Sequence, residues 1–335
     1  MRQKRKIKAI GLLSGGLDST LAVKLMLDVG IDVVCFNLKT PFCLCDGKGG
    51  CYSEKVAKKY DLKLIKLFAG DDYIELVKNP EHGYGKNLNP CIDCRIFLFS
   101  KAKKVLEQQK ADFIFTGEVL GERPMSQRKD AIMLIERESG LKGKVLRPLS
   151  AKHFEPTIPE KEGWVHRDKF LDIKGRSRKP QLALAENLGI KDFPCPAGGC
   201  LLTDQNFAKR LKDSFEQKED SLRHISLLKV GRHFRLPSKA KVIAGRNETE
   251  NKMILALAHP QEVKLTAFGY KSTYVLLLGE PNSSNLDIAS RICARYCDQK
   301  DLNGLPIKFW TESEEKSKII KTKSLDDFSL KKYIL

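Results

Sequence analysis

The chain has 335 residues, 41% of them hydrophobic, which is enough to bury two or three cores and too much for a disordered polymer. Its 60 Lys and Arg against 42 Asp and Glu give a formal net charge of +18, a balance that repels basic surfaces and draws in polyphosphates such as nucleic acids. No apolar run approaches the roughly 20 residues that span a bilayer, and the opening Met1-Arg2-Gln3-Lys4-Arg5-Lys6 leads into a strand-like stretch without a cleavage site, so a cytoplasmic protein without a membrane partner is expected. In that compartment the 10 cysteines point to metal ligation or redox chemistry rather than a disulfide framework.

Apolar strand-like runs alternate with helix-length segments over the first 120 residues, at 7–13, 18–29, 31–38, 53–60 and 63–67. Such alternation predicts an α/β fold whose parallel strands are joined by crossover helices. A long helix is expected over 91–109 and a buried strand over 111–116, ending at a polar loop of the kind where α/β sheets bind ligands. From 149 to 196 prolines and glycines break the rhythm around the basic run Lys174-Gly175-Arg176-Ser177-Arg178-Lys179. A helix over 204–216 follows, capped by Asp204. Beyond 222, strands at 227–230, 241–244, 263–267 and 273–278 around a helix at 251–258 read as a separate α+β domain, and the charged last twenty-five residues as only partly ordered. The expected division is a catalytic domain over 1–150, a connecting region over 151–220 and a C-terminal domain over 221–335.

The sharpest motif is Ser14-Gly15-Gly16-Leu17-Asp18-Ser19, between the first strand and the first helix. Paired glycines let backbone approach an anion, the helix offers unpaired amides and its positive end, and Ser14 and Ser19 add hydroxyl donors. The motif lacks the Gly-Lys-Ser/Thr ending of a Walker loop. It resembles the pyrophosphate-binding loop of the PP-loop ATP pyrophosphatases. The resemblance implies a Rossmann-like, adenine nucleotide alpha hydrolase-like parallel sheet that cleaves ATP between its α and β phosphates, with Mg²⁺ on the leaving pyrophosphate and Asp18 shaping the loop and helping to hold the metal. A first-turn helix acid is the other role open to Asp18.

Pro90-Cys91-Ile92-Asp93-Cys94 opens the long helix, where two sulfurs three residues apart can face one centre and the helix dipole favours thiolate. Cys195 and Cys200, in Cys195-Pro196-Ala197-Gly198-Gly199-Cys200, are further candidates. Three thiolates on an iron–sulfur cluster leave one iron open to carry sulfide, whereas a persulfide route needs no cluster. With the phosphate loop, Pro-Cys-x-x-Cys is similar to the tRNA thiouridine synthases, in particular those with a [4Fe-4S] cluster. Thr116-Gly117-Glu118-Val119-Leu120-Gly121-Glu122-Arg123-Pro124-Met125-Ser126-Gln127 resembles the corresponding loop of 4-thiouridine synthases, which implies Gly117, Glu118 and Gln127 beside the nucleotide or activated base. Pro196-Ala197-Gly198-Gly199-Cys200-Leu201-Leu202-Thr203-Asp204 is similar to a PP-loop subgroup of thiouridylases, which implies Cys200 as third ligand beside Cys91 and Cys94, with Cys195 in reserve. Cys43, Cys45 and Cys51 match no standard finger and can hold a second metal or none, while Cys35, Cys293 and Cys297 read as core.

Lys229, Arg232, His233, Phe234, Arg235 and Arg246 interleave positive groups with an aromatic, a pattern suited to RNA phosphates and unstacked bases. The stretch 229–247 with Ala294-Arg295-Tyr296 resembles the small RNA-binding domain of ribosome-quality-control factors. Standard 4-thiouridine synthases carry a different RNA-binding module ahead of the loop. The resulting expectation is a tRNA sulfurtransferase that adenylates a uridine carbonyl oxygen and replaces it with sulfur from sulfide or a persulfide carrier. An amide-forming ligase or desulfurase keeps the same loop, and a non-catalytic RNA-binding factor keeps only the second domain.

Overall fold

The computed structural model describes residues 6–43, 51–193, 200–313 and 317–335. Two units divide the chain, Met1–Thr203 and Asp204–Leu335, so the stretch 151–203 clusters with the first and 204–220 with the second.

The first unit runs β1 (Lys8–Leu12), α1 (Leu17–Asp28), β2 (Asp32–Lys39), α2 (Tyr52–Lys59), β3 (Leu64–Phe68), α3 (Asp71–Lys78), α4 (Cys91–Gln108), β4 (Phe113–Thr116), α5 (Lys129–Glu138), β5 (Val145–Leu146), α6 (Ile158–Lys161) and α7 (Lys179–Asn187). Its strands pair in parallel in the order β3-β2-β1-β4-β5, the expected α/β sheet. Alternate residues serve opposite faces. Ala9, Leu13, Val33, Cys35, Phe113 and Phe115 pack on Ala22, Val23 and Met26 of α1 and Val56 and Ala57 of α2. Ile10, Leu12, Val34, Phe36 and Ile114 pack on Phe99, Ala102 and Val105 of α4 and Ile135 of α5. Burial on both faces explains why these strands are nearly continuous apolar runs, each large side chain stabilising the sheet by about 1.5–3 kcal/mol. Chain order reverses between β1 and β4, whose crossover helices lie on opposite faces. A crevice therefore opens at the carboxyl ends of these two strands.

The second unit runs α8 (Gln205–Glu216), α9 (Leu222–Leu228), β6 (Arg232–Arg235), β7 (Lys241–Ala244), α10 (Glu248–Leu257), β8 (Val263–Ala267), β9 (Val275–Leu278), α11 (Ser283–Arg295), β10 (Leu305–Trp310), β11 (Lys318–Thr322) and α12 (Asp327–Lys331). Its antiparallel sheet has the order β11-β10-β8-β9-β7-β6. Val242, Leu265 and Leu277 face Ala289, Ile292 and Cys293 of α11, while Ile243 and Leu276 face Leu227 of α9 and Ile254 of α10. Asp204 caps α8 as expected, accepting a hydrogen bond from Phe207 N at 2.7 Å.

Two expectations fail here. The strand expected at 227–230 is the end of α9, whose start is set by Ser221 accepting from His224 N. Leu227 and Leu228 close the helix, and Lys229 and Val230 follow it in a turn, a short mixed stretch that fits a buried helix end as well as a strand. The charged C-terminal stretch carries β11, which pairs with β10, and α12, whose Leu330 enters the core. Among the described residues no helix is long and apolar enough to cross a membrane.

Candidate active site

The phosphate loop occupies the crevice at the end of β1. Gly16 takes the N-cap position of α1 without any side-chain cap, leaving first-turn amides for a ligand. Ser14 Oγ lies 3.1 Å from Ser19 Oγ and accepts from Gly16 N at 3.3 Å, while Ser19 Oγ donates to Gly16 O at 2.9 Å. Leu17 is buried and anchors the helix start, so its contribution to the loop is its backbone. Gly15 has φ +84°, and a Cβ there would stand 2.5 Å from Ser53 N at the start of α2. Gly117, at the end of β4, lies so close to α1 that a Cβ would meet Asp18 O at 2.4 Å. Both glycines are therefore fixed by close backbone approach, and the loop after β4 is brought directly against Asp18.

Asp18 is partly exposed, with Arg178 Nη2 3.9 Å from its Oδ2. Burial pushes its carboxyl above the ordinary carboxylate range, opposed by the positive charges of Arg178 and Arg123. Glu118 is 3% exposed and stands between Arg147 Nε at 3.2 Å and Arg95 Nε at 3.5 Å. Gln127, also buried, accepts from Arg123 N at 2.9 Å through Oε1, and its carbonyl accepts from Gly121 N. Glu118 and Gln127 thus shape the 117–127 loop and hold its arginines. Sequence reasoning missed Arg95, one residue past Cys94, and the role of Arg123. Arg123 reaches solvent, and the like charge of Arg95, then partial burial, lowers its pKa. The Arg95 and Arg123 guanidiniums repel each other, and Arg123 also acts on Asp18.

The thiols gather on the same side of the sheet. Asp93 is buried and accepts from the backbone N–H groups of Glu81 and His82, fixing the loop before α4 and the helix start with it. Cys94 Sγ accepts from Tyr73 Oη at 3.0 Å, and Cys91 Sγ from Asn89 Nδ2 at 2.8 Å. Segment 200–203 is pinned here by Leu201 N to Phe42 O (3.4 Å), Leu88 N to Leu202 O (3.2 Å) and Asn87 Nδ2 to Thr203 O (2.8 Å). Cys200 therefore feels the charges of Cys94, Cys43 and Cys91. Cys91 feels Cys94, Arg123 and Arg95, and Arg123 in turn acts on Asp18, which ties the thiols to the phosphate loop.

Burial opposes the thiolate form expected of these cysteines. Burial raises the pKa of Cys91 and Cys94 and pushes Cys200 up to about 12, outweighing the helix dipole and the nearby arginines. Any metal must displace these protons on binding. Among the described residues no group of three His, Cys, Asp or Glu side chains is arranged to hold a single metal ion. The second metal group expected at Cys43, Cys45 and Cys51 finds no support. Cys43 faces Cys94 and Cys200, Cys51 Sγ lies 2.9 Å from Ser53 Oγ at the start of α2, and Cys45 lies outside the described residues, as does Cys195. Cys35, Cys293 and Cys297 are core residues as expected.

In the second unit the candidate RNA residues separate. His233 is 1% exposed and Phe234 fully buried, so neither offers a face to a base. Phe234 lies in the core beneath α11 and His233 bonds Val230 O on the other face, while the tail pairs along the edge of β6, Leu335 N donating to His233 O and Arg235 N to Tyr333 O. Arg235 binds Asp213 and Glu219 in two bidentate pairs, and Arg246 is tied to Glu250. Arg232 lies over the Tyr296 ring at 4.4 Å, and Lys229 is half-buried at the end of α9. Exposed aromatics do occur, at Phe268 and Tyr270 in the β8–β9 loop, which sequence reasoning missed.

Arg235→Ala is expected to destabilise the second unit by about 1–3 kcal/mol, because two bidentate pairs are lost while Lys241 still partners Asp213 and Glu219, seen as a lower urea midpoint. Burial pushes Glu219 upward, but Arg235 and Lys241 hold it below the ordinary carboxylate range. That stabilisation is present above the unfolded value and is lost as pH falls through the folded one, so the gap between wild type and variant narrows in acid.

A five-stranded parallel sheet with an uncapped Gly-Gly loop at its switch point is a fold of the PP-loop kind. Residues 5–156 match the family model described as thiamine biosynthesis protein (ThiI), and residues 231–334 match that of the NFACT protein RNA binding domain. The chain thus joins a segment similar to the ThiI family to one similar to NFACT RNA-binding domains. A curated relative, tRNA-specific 2-thiouridylase MnmA from Leptospira biflexa serovar Patoc, is 32% identical over 123 residues, covering 30% of this chain and 32% of that protein. The chain spans about a third of the length of the curated relatives it matches. Among solved structures, the U34-tRNA thiolase NcsA from Methanococcus maripaludis with its [4Fe-4S] cluster matches at 19% identity and TM-score 0.32, over 68% of this chain and 71% of that one. A 4-thiouridine synthetase–RNA complex with bound ATP matches at 21% identity and TM-score 0.34, over 55% and 51%.

Proposed function

We propose that the protein is an ATP-dependent tRNA sulfurtransferase that adenylates a uridine carbonyl oxygen and replaces it with sulfur. The observation that carries this reading is the gathering of Cys91, Cys94 and Cys200, with segment 201–203 bonded to residues 42, 87 and 88, near Arg95 and Arg123, of which Arg123 also acts on Asp18 of the expected phosphate loop. In this reading the first-turn amides of α1, Ser14, Ser19 and the backbone of Gly15, Gly16 and Leu17 hold the triphosphate. Arg123 and Arg95 orient it and stabilise the negative charge that grows as the uridine oxygen attacks the α-phosphorus and pyrophosphate leaves. Asp18 holds Mg²⁺ on the departing pyrophosphate. Sulfide then attacks the activated carbon and AMP departs.

The donor set fits a [4Fe-4S] cluster. Cys91, Cys94 and Cys200 are soft ligands whose charges act on one another, and the guanidiniums of Arg95 and Arg123 would offset part of the negative charge acquired on losing protons. When bound by three thiolates, such a cluster supplies one open iron for a sulfide. The catalytic residues of the reading are Asp18, Cys91, Cys94 and Cys200. The second unit is assigned to holding tRNA, with Arg232 and Lys229 the most available of the expected cations.

The test incubates the full-length protein, purified without oxygen, with tRNA, MgATP and sulfide, followed by nucleoside mass spectrometry and iron analysis. Thiouridine that requires both ATP and bound iron is the expected result. Thiouridine formed from sulfide by iron-free protein would remove the cluster and leave free sulfide as the nucleophile, thiouridine formed only when a persulfide carrier replaces sulfide would favour the persulfide route, and pyrophosphate release driven by ammonia instead of sulfide would replace sulfur transfer with amide formation.

A further inference from the structure

Helix α7 lies outside every motif legible in the sequence, yet it packs on the phosphate-loop helix. Ala185 is buried against Leu17 and Leu21 of α1, with Leu184 and Leu188 packed on the same cluster. Gln181 stands one turn before Ala185 on that apolar face. It is 0% exposed, and neither its Nε2 nor its Oε1 makes a hydrogen bond of normal length, the amide exerting only a weak hydrogen-bonding pull on the Asp18 carboxylate. Packing alone gives no reason for an amide there, because an aliphatic side chain of the same size would fill the space without burying two polar atoms.

The neighbours of Gln181 share its condition. Asp18 Oδ1 and Arg178 Nε are also buried without partners. The Gln181 amide adjoins the Asp18 carboxylate, and Arg178 Nη2 is 3.9 Å from Asp18 Oδ2. Gly175 N donates to Leu120 O at 2.7 Å and so fastens the segment leading into α7 to the loop after β4. Two oxygen acceptors and two nitrogen donors therefore meet at the first turn of α1, all with unused hydrogen-bonding capacity.

Such a mixed set selects its ligand. A bare anion would satisfy the nitrogens and leave the two oxygens stranded, and a bare cation would do the reverse. A magnesium ion carried on a polyphosphate satisfies both, since Mg²⁺ takes oxygen ligands and phosphate oxygens take N–H donors. We propose that Gln181, with Arg178 at the N-cap of α7, belongs to the nucleotide site and together with Asp18 grips the magnesium-pyrophosphate end of ATP. The inference rests on the ATP reading above and adds to it Gln181, which none of the sequence motifs contains, and Arg178 from the basic run 174–179.

The experiment is calorimetric titration of the full-length protein and its Gln181→Met variant with magnesium pyrophosphate and, separately, with AMP. The variant is expected to bind magnesium pyrophosphate about tenfold or more weakly, the effect of losing bonds to a charged ligand, while its AMP affinity stays at the wild-type value. Its melting temperature without ligand should equal or exceed that of the wild type, because an unpaired buried amide is gone. Arg178→Met should reproduce the selective loss. Wild-type affinity for magnesium pyrophosphate in Gln181→Met would overturn the inference and leave the ATP site standing, as would a lowered melting temperature with both ligands weakened alike. A wild-type protein that binds neither ligand would overturn both.

Discussion

Cys94→Ser protein is expected to release pyrophosphate from ATP in the presence of tRNA and to form thiouridine more than about a hundredfold more slowly, the loss usual when one preorganised group leaves a reacting centre. The separation of the two readouts follows from the geometry. Cys94 Sγ accepts one hydrogen bond, from Tyr73, which a serine hydroxyl can also accept, so helix α4 and the arginines it carries stay in place. Sulfur chemistry is lost because an alcohol neither holds iron as a thiolate does nor carries a persulfide. Cys91→Ser and Cys200→Ser should behave alike, whereas Cys35→Ser, in the sheet core, should lower stability and leave the ratio of the two readouts unchanged. Thiouridine at the wild-type rate from Cys94→Ser, measured by nucleoside mass spectrometry, would remove this thiol from the mechanism.

Asp18→Asn should slow ATP-dependent pyrophosphate release by about 10²–10³-fold, because the charge that holds Mg²⁺ on the leaving group is gone. Unlike a structural acid, Asp18 should also reveal itself through stability. Burial raises its pKa above the ordinary carboxylate range despite the pull of Arg178. A folded carboxyl that keeps its proton longer than the unfolded chain costs stability once both are ionised. That cost develops as pH rises from the unfolded value to the folded one and is absent in acid. The variant should therefore melt higher than the wild type at neutral pH, with the gain fading as pH falls into the carboxylate range. A variant that melts lower at neutral pH and releases pyrophosphate at the wild-type rate would make Asp18 a helix-capping acid and nothing more.

The local code for the first unit is strong. Each of β1, α1, β2, α2 and β3 falls within a residue or two of its sequence-expected span, because period-two and helical patterns act over a few residues and the parallel sheet buries both faces. The hexapeptide 14–19 lies between β1 and α1 as its sequence position predicts, with Gly16 at an N-cap that no side chain fills. In the second unit the same reasoning misplaces residues 227–230, where a short mixed stretch reads equally as strand or helix until the cap at Ser221 is weighed.

The chain by itself determined the parallel sheet, the phosphate loop and the kinds of atom available for sulfur chemistry, because those depend on near neighbours. Tertiary structure alone decided which distant groups meet. Cys200 reaches Cys94 through backbone bonds to residues 42 and 88, Gln181 reaches Asp18 through the packing of α7 on α1, and the edge of β6 pairs with the last residues of the chain. Contacts across some hundred residues leave no periodic trace in sequence, since the free energy that selects them comes from burying complementary surfaces and not from local conformational preference.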